Sequence, residues 1–113
     1  MITVYHNPRC GKSRECLTFL ENAKHDYEVV KYLENPLNYN ELSEIIIKLN
    51  INPIELIRTK ESIWIENYKN KNLSDTEIIQ TMVDHPILME RPIAVYGKKA
   101  TIVRPLEKIN DIL

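Results

Sequence analysis

The sequence predicts an α/β fold, with one mixed four-stranded sheet that carries helices on both faces. Its periodic segments run in the order strand–helix–strand, then several helices, then strand–strand–helix. The first group favours parallel strands joined by a helix, and the last group favours a hairpin covered by a helix. Because the chain has 113 residues, we expect a single domain over 1–113. A helical insertion is expected between its two halves, at about residues 34–86.

The first half begins with a predicted buried strand over residues 2–5, which are all β-branched or aromatic. A loop over residues 6–9 follows, and a helix is predicted to begin near Gly11. Apolar residues at helical spacing give this helix one buried face, formed by Cys16, Leu17, Leu20 and Ala23. Residues 27–32 are predicted to form the second strand.

Two capping boxes mark helix starts within the insertion. An Asn cap with its Glu occupies residues 38–41, and a Ser cap with its Glu occupies residues 74–77. Between these helices, Asn52-Pro53 predicts a short helix that carries Arg58. The helix behind the Asn cap has a full apolar stripe, formed by Leu42, Ile45, Ile46 and Leu49.

The last part of the chain predicts a hairpin and a helix. Residues 93–96 and 100–103 are predicted strands, and Pro105 is expected to open the final helix. The sequence contains two glycines. Each is expected where the backbone needs conformational freedom, Gly97 in the hairpin turn and Gly11 at the start of the first helix.

Composition excludes several functional classes. The net charge is −1, so the chain has no excess of positive charge to attract nucleic acid or an anionic membrane surface. No apolar run approaches the ~18 residues that span a bilayer, and the N-terminus lacks the pattern of a signal peptide. We therefore expect a cytoplasmic protein that binds neither nucleic acid nor membrane. No residues have metal-ligand spacing, so no metal site is expected.

Cys10 is the first candidate functional residue. It lies between a strand–loop and a predicted helix start, where free N–H groups favour a thiolate over a thiol. Arg9, Lys12 and Arg14 act in the same direction, and the same backbone forms a pocket for an anion. The alternative is a buried structural cysteine with solvated basic neighbours. Cys16 is interpreted as core packing, with a resolving or sensing thiol as its alternative.

Three polar residues near Cys10 are candidates for supporting roles. His6 could act as a base or orient the loop, although a lone histidine often satisfies a backbone group. Asn7 can accept hydrogen bonds from loop amides in an Asx-type turn. Ser13 can either donate to the thiolate or cap the helix, and the sequence leaves both open.

Three arginines stand beside structural breaks. Arg58 ends a short predicted helix, and Arg91 and Arg104 each precede a proline. A guanidinium group suits a tetrahedral oxyanion because it forms bidentate, charge-assisted hydrogen bonds. The Arg91-Pro92 bond, directly before a strand, is a candidate cis peptide. The alternative is three surface arginines, since sequence spacing alone does not bring them to Cys10.

These residues give the chain a family resemblance. From about residue 4 to 113, it resembles the glutaredoxin-linked arsenate reductases, a branch of the thioredoxin-like fold. The segments that carry the resemblance are Tyr5-His6-Asn7-Pro8-x-Cys10-Gly11-x-Ser13-Arg14, Tyr32-Leu33-Glu34 with Pro36, Leu56-Ile57-Arg58, His85-Pro86-Ile87-Leu88, Arg91-Pro92-Ile93, Arg104-Pro105 and Asp111-Ile112-Leu113.

The resemblance implies a reaction and a set of site residues. Cys10 would be the nucleophile that attacks arsenate, and His6 would help to lower its pKa. Oxyanion and substrate binding is expected from Arg58, Arg91, Arg104 and Ser13. Supporting roles are expected from Asn7, Gly11 and Pro92, the last matching the cis-proline that faces the cysteine in thioredoxin-like proteins.

The resemblance also implies where the electrons come from. Glutathione, as co-substrate, would attack the arsenic adduct, and glutaredoxin would resolve the resulting mixed disulfide as arsenite leaves. No bound cofactor is expected. Two features depart from the family pattern: Arg9 replaces a small residue before Cys10, and Cys16 lies outside the pattern.

Two further hypotheses stay open. One is a glutathione-linked thiol oxidoreductase that acts on another disulfide or electrophile. The other is a non-enzymatic regulator resembling the Spx proteins, which bind RNA polymerase and use a Cys-x-x-Cys redox switch. Here Ser13 stands in the second position of that motif, which argues against the regulator.

Overall fold

A computed structural model describes all 113 residues of the chain. The elements in chain order are β1 (Ile2–His6), α1 (Gly11–Asn22), β2 (Tyr27–Lys31), α2 (Tyr39–Leu49), a 3-10 helix (Pro53–Leu56), α3 (Ser62–Asn67), α4 (Asp75–Asp84), a 3-10 helix (Pro86–Leu88), β3 (Ile93–Tyr96), β4 (Lys99–Ile102) and a 3-10 helix (Leu106–Asp111). None of the helices is long and apolar enough to cross a bilayer.

The four strands form one mixed sheet in the order β2-β1-β3-β4. β1 runs parallel to β2 with Val4 opposite Val29, and antiparallel to β3 with Val4 opposite Ala94. β3 and β4 form an antiparallel hairpin. The sheet and its flanking helices confirm the predicted mixed four-stranded α/β fold.

The chain divides into two compact units. The first contains residues 1–35 and 91–113, and the second contains residues 36–90. The first unit holds the sheet and α1, and its core is formed by Ile2, Val4, Cys16, Leu20, Ala94, Val103, Ile109 and Ile112. The interpretation of the whole chain as one domain with an insertion stays a prediction.

The second unit is built on the two predicted capping boxes. Asn38 accepts from the Glu41 N–H at 2.8 Å, and Ser74 accepts from the Glu77 N–H at 3.2 Å. α4 packs against α2 and against the first 3-10 helix. Both boxes satisfy backbone donors that a helix start leaves open, which explains why these helices begin where the sequence predicts.

Some local predictions were wrong. α3 was not predicted, and the segment after Pro105 is a 3-10 helix, without the full α-helical turns its apolar spacing suggested. Ala23 caps the end of α1 and is exposed instead of buried. Gly97 has a φ of 61°, as its turn requires, whereas Gly11 has no positive φ and a Cβ there would meet only an Arg14 side-chain atom at 3.8 Å.

Candidate active site

The loop before α1 fixes the position of the Cys10 thiol. Cys10 is the N-cap residue of α1 and is 9% exposed. Its N–H donates to the Asn7 carbonyl at 3.0 Å, and the Arg9 N–H donates to the Asn7 side-chain oxygen at 3.0 Å. Asn7 is buried and therefore holds two successive backbone positions, in the Asx-type geometry that its sequence position suggests.

Ser13 connects this loop to the thiol. Its side chain is fully buried, and its hydroxyl oxygen accepts from the Asn7 N–H at 3.4 Å. Because the oxygen acts as an acceptor there, the single hydroxyl proton is available to Cys10, whose pKa the Ser13 side chain helps to lower. The structure therefore favours donation to the thiol over the helix-capping alternative, and Cys10 itself occupies the cap position.

Two of the three arginines singled out in the sequence meet at Cys10. Arg104 Nη2 lies 3.3 Å from Cys10 Sγ, and Arg104 Nε donates to the Arg91 carbonyl at 2.6 Å. The side chain of Arg91 also acts on the thiol and lowers its pKa. Both arginines precede cis prolines, Pro92 and Pro105. The first of these cis bonds was predicted and the second was not.

The pKa of Cys10 reflects these contacts. Burial acts to raise it, and hydrogen bonds from the Ser13 N–H, the Arg91 side chain, the Lys12 N–H and the Ser13 hydroxyl act to lower it. The hydrogen bonds prevail, and the pKa falls from 9.0 to about 7. A large fraction of Cys10 is therefore thiolate at neutral pH, which is the form that acts as a nucleophile.

Arg91 also has unused donor capacity. Its Nε and Nη1 atoms are buried and have no hydrogen-bond partner. Buried guanidinium donors without partners are uncommon, because their desolvation is uncompensated. Charge-assisted donors of this kind beside a thiolate can complement the oxygens of an anion that the sulfur attacks.

His6 lies at the end of β1 and is buried, with its Nδ1 unpartnered. Burial, and then the positive charges of Lys31 and Arg14, lower its pKa from 6.5. His6 is therefore neutral at physiological pH, and no hydrogen bond joins it to Cys10. Its assignment as a group that lowers the thiol pKa stays a prediction.

Arg58 lies in the second unit, just after the first 3-10 helix. Its N–H donates to the Leu88 carbonyl at 2.7 Å, beside a β-bridge between Ile57 and Met89. Its guanidinium is paired with two carboxylates, with Nε 3.2 Å from Glu61 and Nη1 3.6 Å from Glu90. The role of Arg58 in oxyanion binding stays a prediction.

Cys16 is fully buried in the core of the first unit. Burial, assisted by the negative charge of Glu15, raises its pKa to about 11. The protonated thiol is a poor nucleophile, so the core-packing interpretation fits the structure and the resolving-thiol alternative does not. The structure also contains no group of residues that could hold a metal ion.

Two backbone groups at the site could not be identified from the sequence. The Arg91 carbonyl anchors Arg104, and every residue has a carbonyl, so residue identity does not reveal this contact. The backbone N–H of Lys12 was likewise anticipated only in the general sense that a helix start offers free donors.

A mixed sheet with a low-pKa cysteine at the start of its first helix defines the class of thioredoxin-like thiol proteins. The family model described as "ArsC family" matches residues 5–112. The chain therefore belongs to the ArsC family, as the sequence motifs indicated.

Relatives and solved structures agree with this assignment. The chain is 40% identical over 114 residues to "Arsenate reductase" of Haemophilus influenzae, covering 99% of this chain and 98% of the relative. It is 45% identical to "Uncharacterized protein YfgD" of Escherichia coli K12, with coverages of 99% and 96%. The solved structure "Arsenate reductase from Vibrio cholerae" has a TM-score of 0.94 and 39% identity, covering 99% of this chain and 97% of that chain.

Proposed function

We propose that this protein is a thiol-dependent arsenate reductase in which Cys10 is the nucleophile and glutathione and glutaredoxin supply the electrons. The observation that carries the proposal is the Arg104 guanidinium 3.3 Å from the Cys10 sulfur, together with a thiol pKa of about 7 that the Arg91 side chain helps to lower. The family membership and the arsenate reductase names of relatives at about 40% identity support the choice of arsenate.

The first chemical step uses the thiolate. Cys10 Sγ attacks the arsenic of arsenate, an As–O bond breaks, and the oxygen leaves as water after protonation. A sulfur–arsenic(V) adduct results. The same helix N-terminus that stabilises the thiolate also stabilises the anionic adduct, because its free N–H groups face negative charge in both.

Arginine donors are proposed to hold the oxyanion during this step. Arg91 supports this role through its two buried donors without partners, and Arg104 through its proximity to Sγ. Arg58 is proposed as a third contributor on the basis of the family motif. Guanidinium groups suit this task because the charge on the arsenate oxygens grows as the sulfur–arsenic bond forms.

The second step needs a thiol from solution. Glutathione attacks the Cys10 adduct, and a disulfide forms between Cys10 and glutathione. The two sulfur atoms together give two electrons to arsenic, which leaves as arsenite. Glutaredoxin then reduces the mixed disulfide. The absence of a second reactive cysteine supports this scheme, because Ser13 replaces it in the motif and Cys16 is buried with a raised pKa.

A coupled arsenate-reduction assay with glutathione and glutaredoxin tests the proposal. Wild type should reduce arsenate, Cys10→Ser should have no activity, and Cys16→Ala should retain most of it because Cys16 only fills the core. Omitting either reductant should stop turnover. The absence of turnover by the wild type with both reductants present would contradict the proposal.

The same preparation separates the other two hypotheses. A mixed disulfide of Cys10 with glutathione, detected by mass spectrometry without arsenate turnover, would favour a thiol oxidoreductase with another substrate. Recovery of RNA polymerase in a pull-down would favour an Spx-like regulator.

A further inference from the structure

Arg9 is an exposed cation directly before Cys10 in the sequence. Its backbone N–H is held by the buried side chain of Asn7, and the next N–H, that of Cys10, is held by the Asn7 carbonyl. The backbone of Arg9 is therefore held in place by Asn7, as is the backbone of Cys10. The side chain itself is exposed and makes no ion pair or hydrogen bond.

The surroundings of Arg9 are positively charged and contain few counter-charges. The first turn of α1 has no acidic residue, and the side chain of Lys12 is also exposed. Arg14 differs, because its guanidinium folds back to donate to the Pro8 carbonyl at 3.0 Å. Arg9 and Lys12 therefore keep exposed charges near Cys10, and Arg9 is the one directly adjacent to it in the sequence.

The residues on either side of Cys10 differ in exposure. The thiol is only 9% exposed, and Asn7 and Ser13 are buried. Arg9 and the first two residues of α1 are exposed. The Cα atoms of Arg9 and Cys10 are about 3.8 Å apart across one peptide bond, and charges act over about 8 Å at physiological ionic strength. A molecule that reacts with the sulfur atom therefore comes within range of the Arg9 charge.

We infer that Arg9 selects the charge of the molecule that reacts with Cys10, by binding a carboxylate of an anionic thiol or disulfide as it approaches the thiolate. The inference deepens the proposed function and rests on it for the assumption that a small thiol meets Cys10. An exposed ion pair contributes up to about fivefold in an equilibrium or rate, so Arg9 tunes selectivity and is not required for the chemistry.

Thiol–disulfide exchange without arsenate tests this inference. The Cys10 thiolate attacks a disulfide probe, a bond forms between Cys10 and one probe sulfur, and the other probe sulfur leaves as a thiolate with the electron pair. The probes are glutathione disulfide, which is anionic, hydroxyethyl disulfide, which is neutral, and cystamine, which is cationic. Dividing each rate by that of the neutral probe removes changes in the nucleophilicity of the thiol.

We call the exchange rate with glutathione disulfide, divided by the rate with hydroxyethyl disulfide, the anionic-to-neutral ratio. Arg9→Ala should lower this ratio about two- to fivefold, and Arg9→Glu should lower it further. The cationic-to-neutral ratio should rise in both variants, and Arg9→Lys should keep most of the wild-type preference. Added salt should reduce the wild-type ratio more than the Arg9→Ala ratio, because exposed charges are screened. Lys98→Ala is the matched control, since Lys98 is an exposed cation in the hairpin turn between Tyr96 and Lys99.

An anionic-to-neutral ratio that is the same in wild type and Arg9→Ala would overturn the inference. Equal changes in Arg9→Ala and Lys98→Ala would overturn it too, because they would show an effect of net charge alone. The exchange reaction contains no arsenate. A wild type without arsenate turnover would therefore contradict the proposed function, and the ratios would still decide the role of Arg9.

Discussion

The guanidinium of Arg104 lies 3.3 Å from the thiol of Cys10, across 94 positions of sequence. The same guanidinium is anchored through a second nitrogen, because Nε donates to the Arg91 carbonyl at 2.6 Å. The side chain of Arg91 in turn helps to lower the pKa of the same thiol. The two arginines thus form one arrangement in which the backbone of the first positions the side chain of the second.

Replacing Arg104 with Gln should raise the pKa of Cys10 by about one unit, because a charge-assisted hydrogen bond to the thiolate is lost. The pH dependence of iodoacetamide alkylation, followed by mass spectrometry, measures this pKa. Its midpoint should move up from about 7. Lys98→Gln should leave the midpoint in place, and an equal midpoint in wild type and Arg104→Gln would contradict the assigned contact.

Replacing Ser13 with Ala should affect both the thiol and the stability of the fold. The Cys10 pKa should rise because the hydroxyl donor is lost, and the buried Asn7 N–H loses its acceptor. An unsatisfied buried donor costs about 1–2 kcal/mol in the free energy of unfolding. Urea denaturation and the alkylation profile together measure the two effects. A lower stability with an unchanged thiol pKa would mean that Ser13 only supports the loop.

The two cysteines should differ sharply in reactivity. Cys10 has a pKa of about 7, and Cys16 is fully buried with a pKa of about 11. Iodoacetamide should therefore modify the native protein once, at Cys10, and the urea-unfolded protein at both cysteines. Peptide mapping identifies the modified residue. Rapid modification of Cys16 in the folded protein would show that α1 opens and exposes the core.

His6 should make the fold sensitive to acid. Burial and nearby positive charges hold its pKa below 6.5. As the pH falls through 6.5, the unfolded chain therefore binds more protons than the folded chain, and the free energy of unfolding decreases. The free energy of unfolding continues to decrease until the pH falls below the pKa that His6 has in the folded protein. His6→Gln should remove that part of the decrease, measured by urea denaturation across this pH range.

The control for this experiment is His25→Gln. His25 is exposed, so the replacement should leave the acid-induced loss of stability as it is in the wild type. Identical pH dependence for wild type and His6→Gln would contradict the buried, neutral state of His6.

The proposed role of Arg58 predicts that it competes for arsenate with its own carboxylate partners. Arg58→Ala should raise the KM for arsenate about tenfold, as expected for the loss of a charged hydrogen bond. Glu61→Gln should lower that KM, because it removes an ion pair at 3.2 Å and leaves the guanidinium more available. Steady-state kinetics with saturating reductants measures both. A KM unaffected by Arg58→Ala would remove Arg58 from the proposed site.

The fold could be predicted wherever its determinants are local. The capping boxes at Asn38 and Ser74 involve residues three positions apart, so their helices were predicted at the correct start. α3 gave no such signal, since Trp64 is its only buried residue and Glu61 provides no side-chain cap.

The site could be predicted only in part, for a similar reason. The position of Cys10 at a helix start follows from neighbouring residues, and the two bonds that Asn7 accepts span two and three positions. The convergence of Arg91 and Arg104 depends instead on the pairing of β1 with β3 and of β3 with β4. Strand pairing across such sequence distances is not visible in local patterns. The expectation that Arg91 and Arg104 lie at the site therefore came from the family resemblance and not from their spacing.

The separation of the two cysteines has a consequence for kinetics. Cys10 caps α1 and Cys16 lies six positions further along the same helix, a rise of about 9 Å, whereas a disulfide requires Cα atoms within about 7 Å. An oxidised Cys10 therefore has no disulfide partner within its own helix, and in the proposed scheme it is regenerated by a thiol that diffuses in. Turnover should follow ping-pong kinetics, with a rate set at low thiol supply by the concentration of the reductant.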